Sequence, residues 1–121
     1  MKIKVSEFNS FDEFDEVFDD VGCEYEHITV IREKGWIKTD LMTECKSFKT
    51  VLRRFFTNLA HIPDIADWYD CILESCENGC FSMNDCLRAD GSINPDRWYS
   101  WGVENLDDDL WYIFLNVKAS A

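Results

Sequence analysis

The chain has 121 residues, of which 46% are hydrophobic and 15% aromatic; that is one domain's length and enough apolar material for a packed core, which excludes a disordered acidic tail. Acidic residues number 24 against 12 basic ones, a net charge of −12, and such a field works against DNA, RNA or an anionic membrane and favours a basic partner. No basic segment followed by an apolar one opens the chain, and no apolar run approaches the roughly 18 residues that a membrane helix needs.

The first element is a strand in "KIKVSEF". Ser10 followed by Glu13 has the form of a capping box, with Phe8 placed as a hydrophobic staple for the helix that follows. At about 100° per residue, Phe11, Phe14, Val17, Phe18 and Val21 fall on one face of that helix, and Asp12, Glu13, Asp15, Glu16, Asp19 and Asp20 on the other. Gly22 offers a stop. "EYEHITVIRE" alternates as a strand, and "GWIKTDL" is its short partner across a Lys34-Gly35 turn. "TECKSFKTVLRRFFTNLA" predicts a core helix carrying Cys45, Phe48, Val51, Leu52, Phe55, Phe56 and Leu59 on its apolar stripe. A further helix runs from Pro63 to "ENG", with Ile65, Trp68, Tyr69, Ile72 and Cys76 inward and Asp64, Asp67, Asp70, Glu74 and Glu77 outward. "SMNDCLRADG" predicts a short capped helix, and "RWYSWGVENLDDDLWYIFLNV" a hairpin around an acidic turn. The whole reads as a single globular α+β domain over residues 1–121, an antiparallel sheet with a C-terminal hairpin packed against three to four helices.

"SFDEFDEVFDD" holds six carboxylates in eleven residues and no Lys or Arg. Asp12/Glu16, Asp15/Asp19 and Glu16/Asp20 are like-charged pairs four apart, each costing about 0.2–0.5 kcal/mol. Asp19 and Asp20 sit in the last turn, where the helix dipole prefers cations. A local rule broken in this way marks a functional surface, although a solvated face would look the same. The pattern recurs on the Pro63 helix and at Asp107, Asp108 and Asp109. Residues four apart on a helix rise about 6 Å, a step close to that of phosphates along a nucleic-acid strand, so carboxylate rows could occupy the Lys and Arg side chains that hold DNA or RNA. The expected partner-binding set is Asp12, Asp15, Glu16, Asp19 and Asp20, with Asp64, Asp67, Asp70, Glu74 and Asp107 to Asp109 as a second set.

In size, charge and core richness the whole chain is similar to phage-encoded anti-restriction and anti-CRISPR proteins and to immunity proteins that neutralise nuclease toxins. No diagnostic motif carries the likeness and it assigns no residues. It implies an acidic, non-enzymatic inhibitor in the cytoplasm of a bacterial host cell, occluding the basic nucleic-acid-binding surface of a defence or toxin enzyme. The alternatives are a regulatory adaptor for another basic protein and a small zinc-binding protein.

Cys71, Cys76, Cys80 and Cys86 lie close in sequence, but only Cys76 and Cys80 have the spacing of a zinc ligand pair, and in the absence of an export signal all six cysteines, Cys23 and Cys45 included, read as reduced structural thiols. Histidine occurs only as His27, within a strand, and His61, before the Pro63 helix, and no glycine-rich phosphate loop is present. Neither a cofactor nor a catalytic residue is expected. Lys46, Lys49, Arg53 and Arg54 form the one basic cluster, expected to pair with acidic neighbours or to be solvated. Trp98, Tyr99, Trp101, Trp111, Tyr112 and Phe114 are expected between sheet and helices, with one or two rings free to anchor an interface.

Overall fold

The computed structural model describes residues 3–21, 26–84, 90, 92 and 99–119, without the side chains at 18–21 and 84. The elements run β1 (Lys4–Phe8), α1 (Phe11–Val21), β2 (His27–Glu33), β3 (Trp36–Glu44), α2 (Phe48–Asn58), α3 (Pro63–Ala66), α4 (Tyr69–Glu77), β4 (Ser82–Asn84), β5 (Tyr99–Asp107) and β6 (Leu110–Lys118). This is a mixed α/β chain with one six-stranded sheet in the order β1-β2-β3-β6-β5-β4. Three helices and the single turn α3 pack on it. The sheet is mostly antiparallel rather than wholly so, because β1 pairs with β2 in parallel, as a strand pair joined by a crossover helix must.

Strand periodicity divides the side chains between two unlike faces. Ile28, Val30, Ile37, Leu41, Ile113 and Leu115 point to one face and form the main core with Val51, Leu52, Phe55, Phe56, Ile65 and Ile72 of the helices. Each such side chain contributes about 1.5–3 kcal/mol of burial. The opposite face holds a smaller buried set, Phe8, Ile31 and Trp36, which stays apart from that core. Over it lies α1, above β1 and β2.

Several boundaries depart from the sequence reading. The helix expected from Thr43 begins at Phe48, because Thr43 and Glu44 complete β3 opposite Trp111 and Leu110 and Ser47, in extended backbone, caps the helix by accepting from the Thr50 N–H. The helix expected from Pro63 is interrupted at Asp67 and Trp68, between α3 and α4. Ser82–Asn84 is an edge strand on β5 rather than the start of a helix, its carbonyls and amides being taken up by the sheet; of the rest of that expected helix only Asp90 is among the described residues, and the Gly22 stop, Cys23, Cys86 and Trp98 lie outside them.

Two glycines act through their backbones. Lys34 (φ 53°) and Gly35 (φ 81°) are both left-handed, which makes the two-residue β2–β3 turn one whose twist matches its strands. At Gly102 on β5, a methyl group would come 2.6 Å from Phe114 Cε1 on the neighbouring strand. Gly102→Ala should therefore displace the Phe114 ring and lower stability by about 1–3 kcal/mol, measured by urea unfolding; an unchanged midpoint would show that the ring yields freely.

Candidate partner-binding surface

Helix α1 is fixed at its N-terminus by reciprocal hydrogen bonds. The Glu13 N–H donates to Ser10 Oγ at 3.1 Å, and Glu13 Oε2 accepts from the Asn9 N–H at 3.0 Å. This is a capping box displaced by one residue, since Glu13 reaches past Ser10 to Asn9. Glu33 Oε2 accepts from the Phe11 N–H at 3.1 Å, which ties the helix start to the end of β2. The staple forms as an edge-to-face contact between Phe8 and Phe14, with centroids 5.4 Å apart.

The acidic face of α1 is turned away from the sheet. Asp12, Glu13, Asp15 and Glu16 are exposed, and no basic residue occupies the last turn; the side chains of Asp19 and Asp20 lie outside the described residues. The second expected set stands elsewhere. Asp67, Asp70 and Glu74 are exposed and Asp64 is half-buried on α3, α4 and the link between them, over the other face of the sheet. Asp107 to Asp109 are exposed at the β5–β6 turn, beside the start of α2, where the Asp109 carbonyl accepts from the Cys45 N–H at 2.7 Å. The fold thus does not unite the α1 row with the α3–α4 row in one surface.

Three of the basic residues, Arg32, Lys49 and Arg54, and His61 face other carboxylates. Glu7 meets Arg32 Nη2 at 2.9 Å and His61 Nε2 at 3.4 Å, Lys49 meets Glu77 at 3.5 Å, and Arg54 meets Glu26 at 3.7 Å. The Arg32 guanidinium beside Glu7 holds that carboxyl below its ordinary value, against some desolvation. Arg54 also donates to Thr43 Oγ1 at 2.8 Å and to the Glu44 carbonyl at 2.6 Å, so it braces the β3–α2 junction. Lys49 and Arg53 on α2, and Lys46 just before it, remain exposed, next to the α4 row through the Lys49–Glu77 pair. Among the described residues, no ion pair reaches Asp12, Asp15, Glu16, Asp67, Asp70, Glu74 or the three turn aspartates.

Because α1 covers only one side of its face, a groove of about 380 Å³ opens between the helix and the centre of the sheet. Phe11 and Phe14 form one wall, Tyr112 and Phe114 the other, and Thr29, Ile31, Lys38, Thr39, Asp40 and Asn116 complete the lining. Phe11 is 48% exposed although it belongs to the apolar stripe of α1. The Tyr112 hydroxyl donates to Asp40 Oδ2 at 3.3 Å. Burial pushes the Asp40 carboxyl above its ordinary 3.8, an effect the Tyr112 hydrogen bond only partly offsets, and Tyr112 is raised in turn by burial and by Asp40. None of Lys38, Asp40, Tyr112 and Phe114 belongs to the site expected from sequence. Alternation in "GWIKTDL" puts Lys38 and Asp40 on one face, but only strand order supplies the rings opposite them.

The remaining candidates occupy structural positions. His27 is half-buried at the start of β2, and His61 is exposed against Glu7. Cys45 and Cys76 are buried, Cys71 and Cys80 exposed; burial, with a smaller effect from Cys80, pushes the Cys76 thiol up to about 11. Among the described residues, no three His, Cys, Asp or Glu side chains form a metal-holding group. Trp101 is buried in the main core, which Tyr99 and Trp111 flank, while Tyr112 and Phe114 face the groove.

Two predictions follow from these environments. In the folded protein, iodoacetamide with peptide mapping should label Cys71 and Cys80 well before Cys45 and Cys76; equal rates would contradict their burial. A raised carboxyl pKa adds stability below about pH 3.8 that is lost as pH rises through the folded-state value. The difference in melting temperature, Asp40→Asn minus wild type, should therefore be more positive near about pH 7 than near about pH 3, and the opposite trend would show that the carboxylate is stabilised in the fold.

Compared with known proteins, the chain matches no family model and no curated protein sequence.

Proposed function

We propose that the protein is a non-enzymatic inhibitor that docks through the acidic face of α1 on the basic nucleic-acid-binding surface of another protein, holding that surface closed by stoichiometric occupation. The observation that carries this reading is the distribution of ion pairs: Arg32, Lys49 and Arg54, with His61, answer Glu7, Glu77 and Glu26, and no described cation reaches the exposed row Asp12, Asp15 and Glu16. Carboxylates that repel one another and have no internal partner weaken the free protein slightly, and the cost is recovered when cations from outside meet them. The α1 row is favoured over Asp67, Asp70 and Glu74 because the latter stand beside the exposed cations of α2, which blunt their field and would repel a basic partner. Charge-led docking of this kind acts mainly on association rate.

The test is a matched pair of triple variants in a capture assay with the tagged protein. Wild type should retain nucleic-acid-binding enzymes, released by competing duplex DNA and by raising salt from about 0.1 M to about 1 M, where the screening length falls from about 10 Å to about 3 Å. Asp12→Asn/Asp15→Asn/Glu16→Gln should lose this capture, with stability changed by less than about 1 kcal/mol, since relieved repulsion offsets the lost dipole contact of Asp12. Asp67→Asn/Asp70→Asn/Glu74→Gln should retain it. Capture that neither salt nor DNA disturbs would favour an adaptor for some other kind of protein, and undiminished capture by the α1 variant would reduce that face to a solubilising one.

A further inference from the structure

The groove beside α1 sets a carboxylate among aromatic rings. Asp40 shares one oxygen, Oδ2, with the Tyr112 hydroxyl, and no hydrogen bond or ion pair among the described residues engages Oδ1. Lys38 lines the same groove, yet no ion pair joins it to Asp40. The walls are aromatic on both sides: Phe11 and Phe14 meet at 5.8 Å, and Tyr112 and Phe114 at 6.1 Å. A partly desolvated carboxylate without a cation, flanked by ring faces, is complementary to a flat, weakly hydrated cation, which can bond the carboxylate and stack on the rings together. An ammonium fits less well, because it keeps its water more tightly.

Position adds a second argument. Phe11 forms the wall of the groove and Asp12, the next residue, begins the exposed carboxylate row. A basic segment lying along α1 thus has the groove within reach of one side chain. Resting on the docking proposed above, we infer that the groove receives a single arginine guanidinium from the basic partner, paired with Asp40 and stacked against Tyr112 and Phe114, and so supplies specificity that the α1 row by itself does not.

The experiment needs no identified partner. N-acetyl-arginine amide is titrated into the full chain and followed by amide chemical shifts, with N-acetyl-citrulline amide as the uncharged probe of the same shape. A saturable response is expected at the amides of Lys38 to Met42 and Tyr112 to Asn116, with a dissociation constant in the millimolar range. Citrulline amide should bind at least about tenfold more weakly, as should arginine amide to Asp40→Asn. In free Asp40→Asn, amides outside Lys38 to Met42 and Tyr112 to Asn116 should keep their wild-type shifts, which separates loss of the carboxylate from disturbance of the fold around the groove. Equal binding of the two probes, full binding by Asp40→Asn, or no response up to about 100 mM would each overturn the assignment. The Asp12→Asn/Asp15→Asn/Glu16→Gln variant should titrate like wild type. If it does while the wild-type protein captures no nucleic-acid-binding enzyme, or while the variant's capture is undiminished, the docking reading falls and the groove stands; if arginine amide shifts only the Asp12 to Glu16 amides, the groove falls and the acidic row stands.

Discussion

The pairing of β3 with β6 is the constraint on which the rest of the structure depends. Nine residue pairs, from Trp36↔Lys118 to Glu44↔Leu110, join the N-terminal strands to the C-terminal hairpin across most of the chain's length. The register puts Leu41 opposite Ile113 and Thr39 opposite Leu115 on the core face, and Asp40 opposite Phe114 on the other. A slip of one residue would turn Leu41 and Ile37 outward and carry Asp40 into the core. Thr39 secures the match by donating from Oγ1 to the Leu115 carbonyl at 2.7 Å, which satisfies a hydroxyl that would otherwise be buried at a cost.

Unequal cover of the two faces follows from that arrangement. On one side, α2, α3 and α4 close the sheet, and Phe55, Ile65 and Ile72 are wholly buried there. On the other, α1 lies above β1 and β2, far enough from β6 that Tyr112 and Phe114 remain half-buried and Phe11 half-exposed. The groove is therefore a consequence of helix placement, and its polar floor belongs to the same alternation that builds the core. Gly102 limits its shape, because a side chain at that position would press on the Phe114 ring.

Electrostatics separates structural carboxylates from free ones. Glu7, Glu26 and Glu77 each answer a cation that also packs against or bridges two elements, as in the Arg54 contacts with Thr43 and Glu44. Of the described α1 carboxylates, Asp12, Asp15 and Glu16 serve no such junction, and Glu13 has a capping role that fixes the helix start. Their loss is accordingly expected to change binding without changing the fold. For Asp40 the opposite holds, since it is polar, half-buried and tied to Tyr112, so binding and stability respond together.

Much of the local structure is legible in the chain itself. The period of Phe11, Phe14 and Val17, the cap at Ser10 and the alternation of "HITVIRE" are local signals, and each produces its element. Local signals failed where tertiary pairing competed: Thr43 and Glu44 suit a helix but are taken by β6, and Ser82 to Asn84 are taken by β5. Sequence determined that α1 has an acidic face and an apolar one, because a helix of that composition can separate them in only one way. Only the tertiary structure decided that its carboxylates stand on the opposite side of the sheet from Asp67, Asp70 and Glu74, and that Asp40 meets Tyr112 across 72 residues; strand order and helix placement are set by the burial of whole faces, which no single segment encodes.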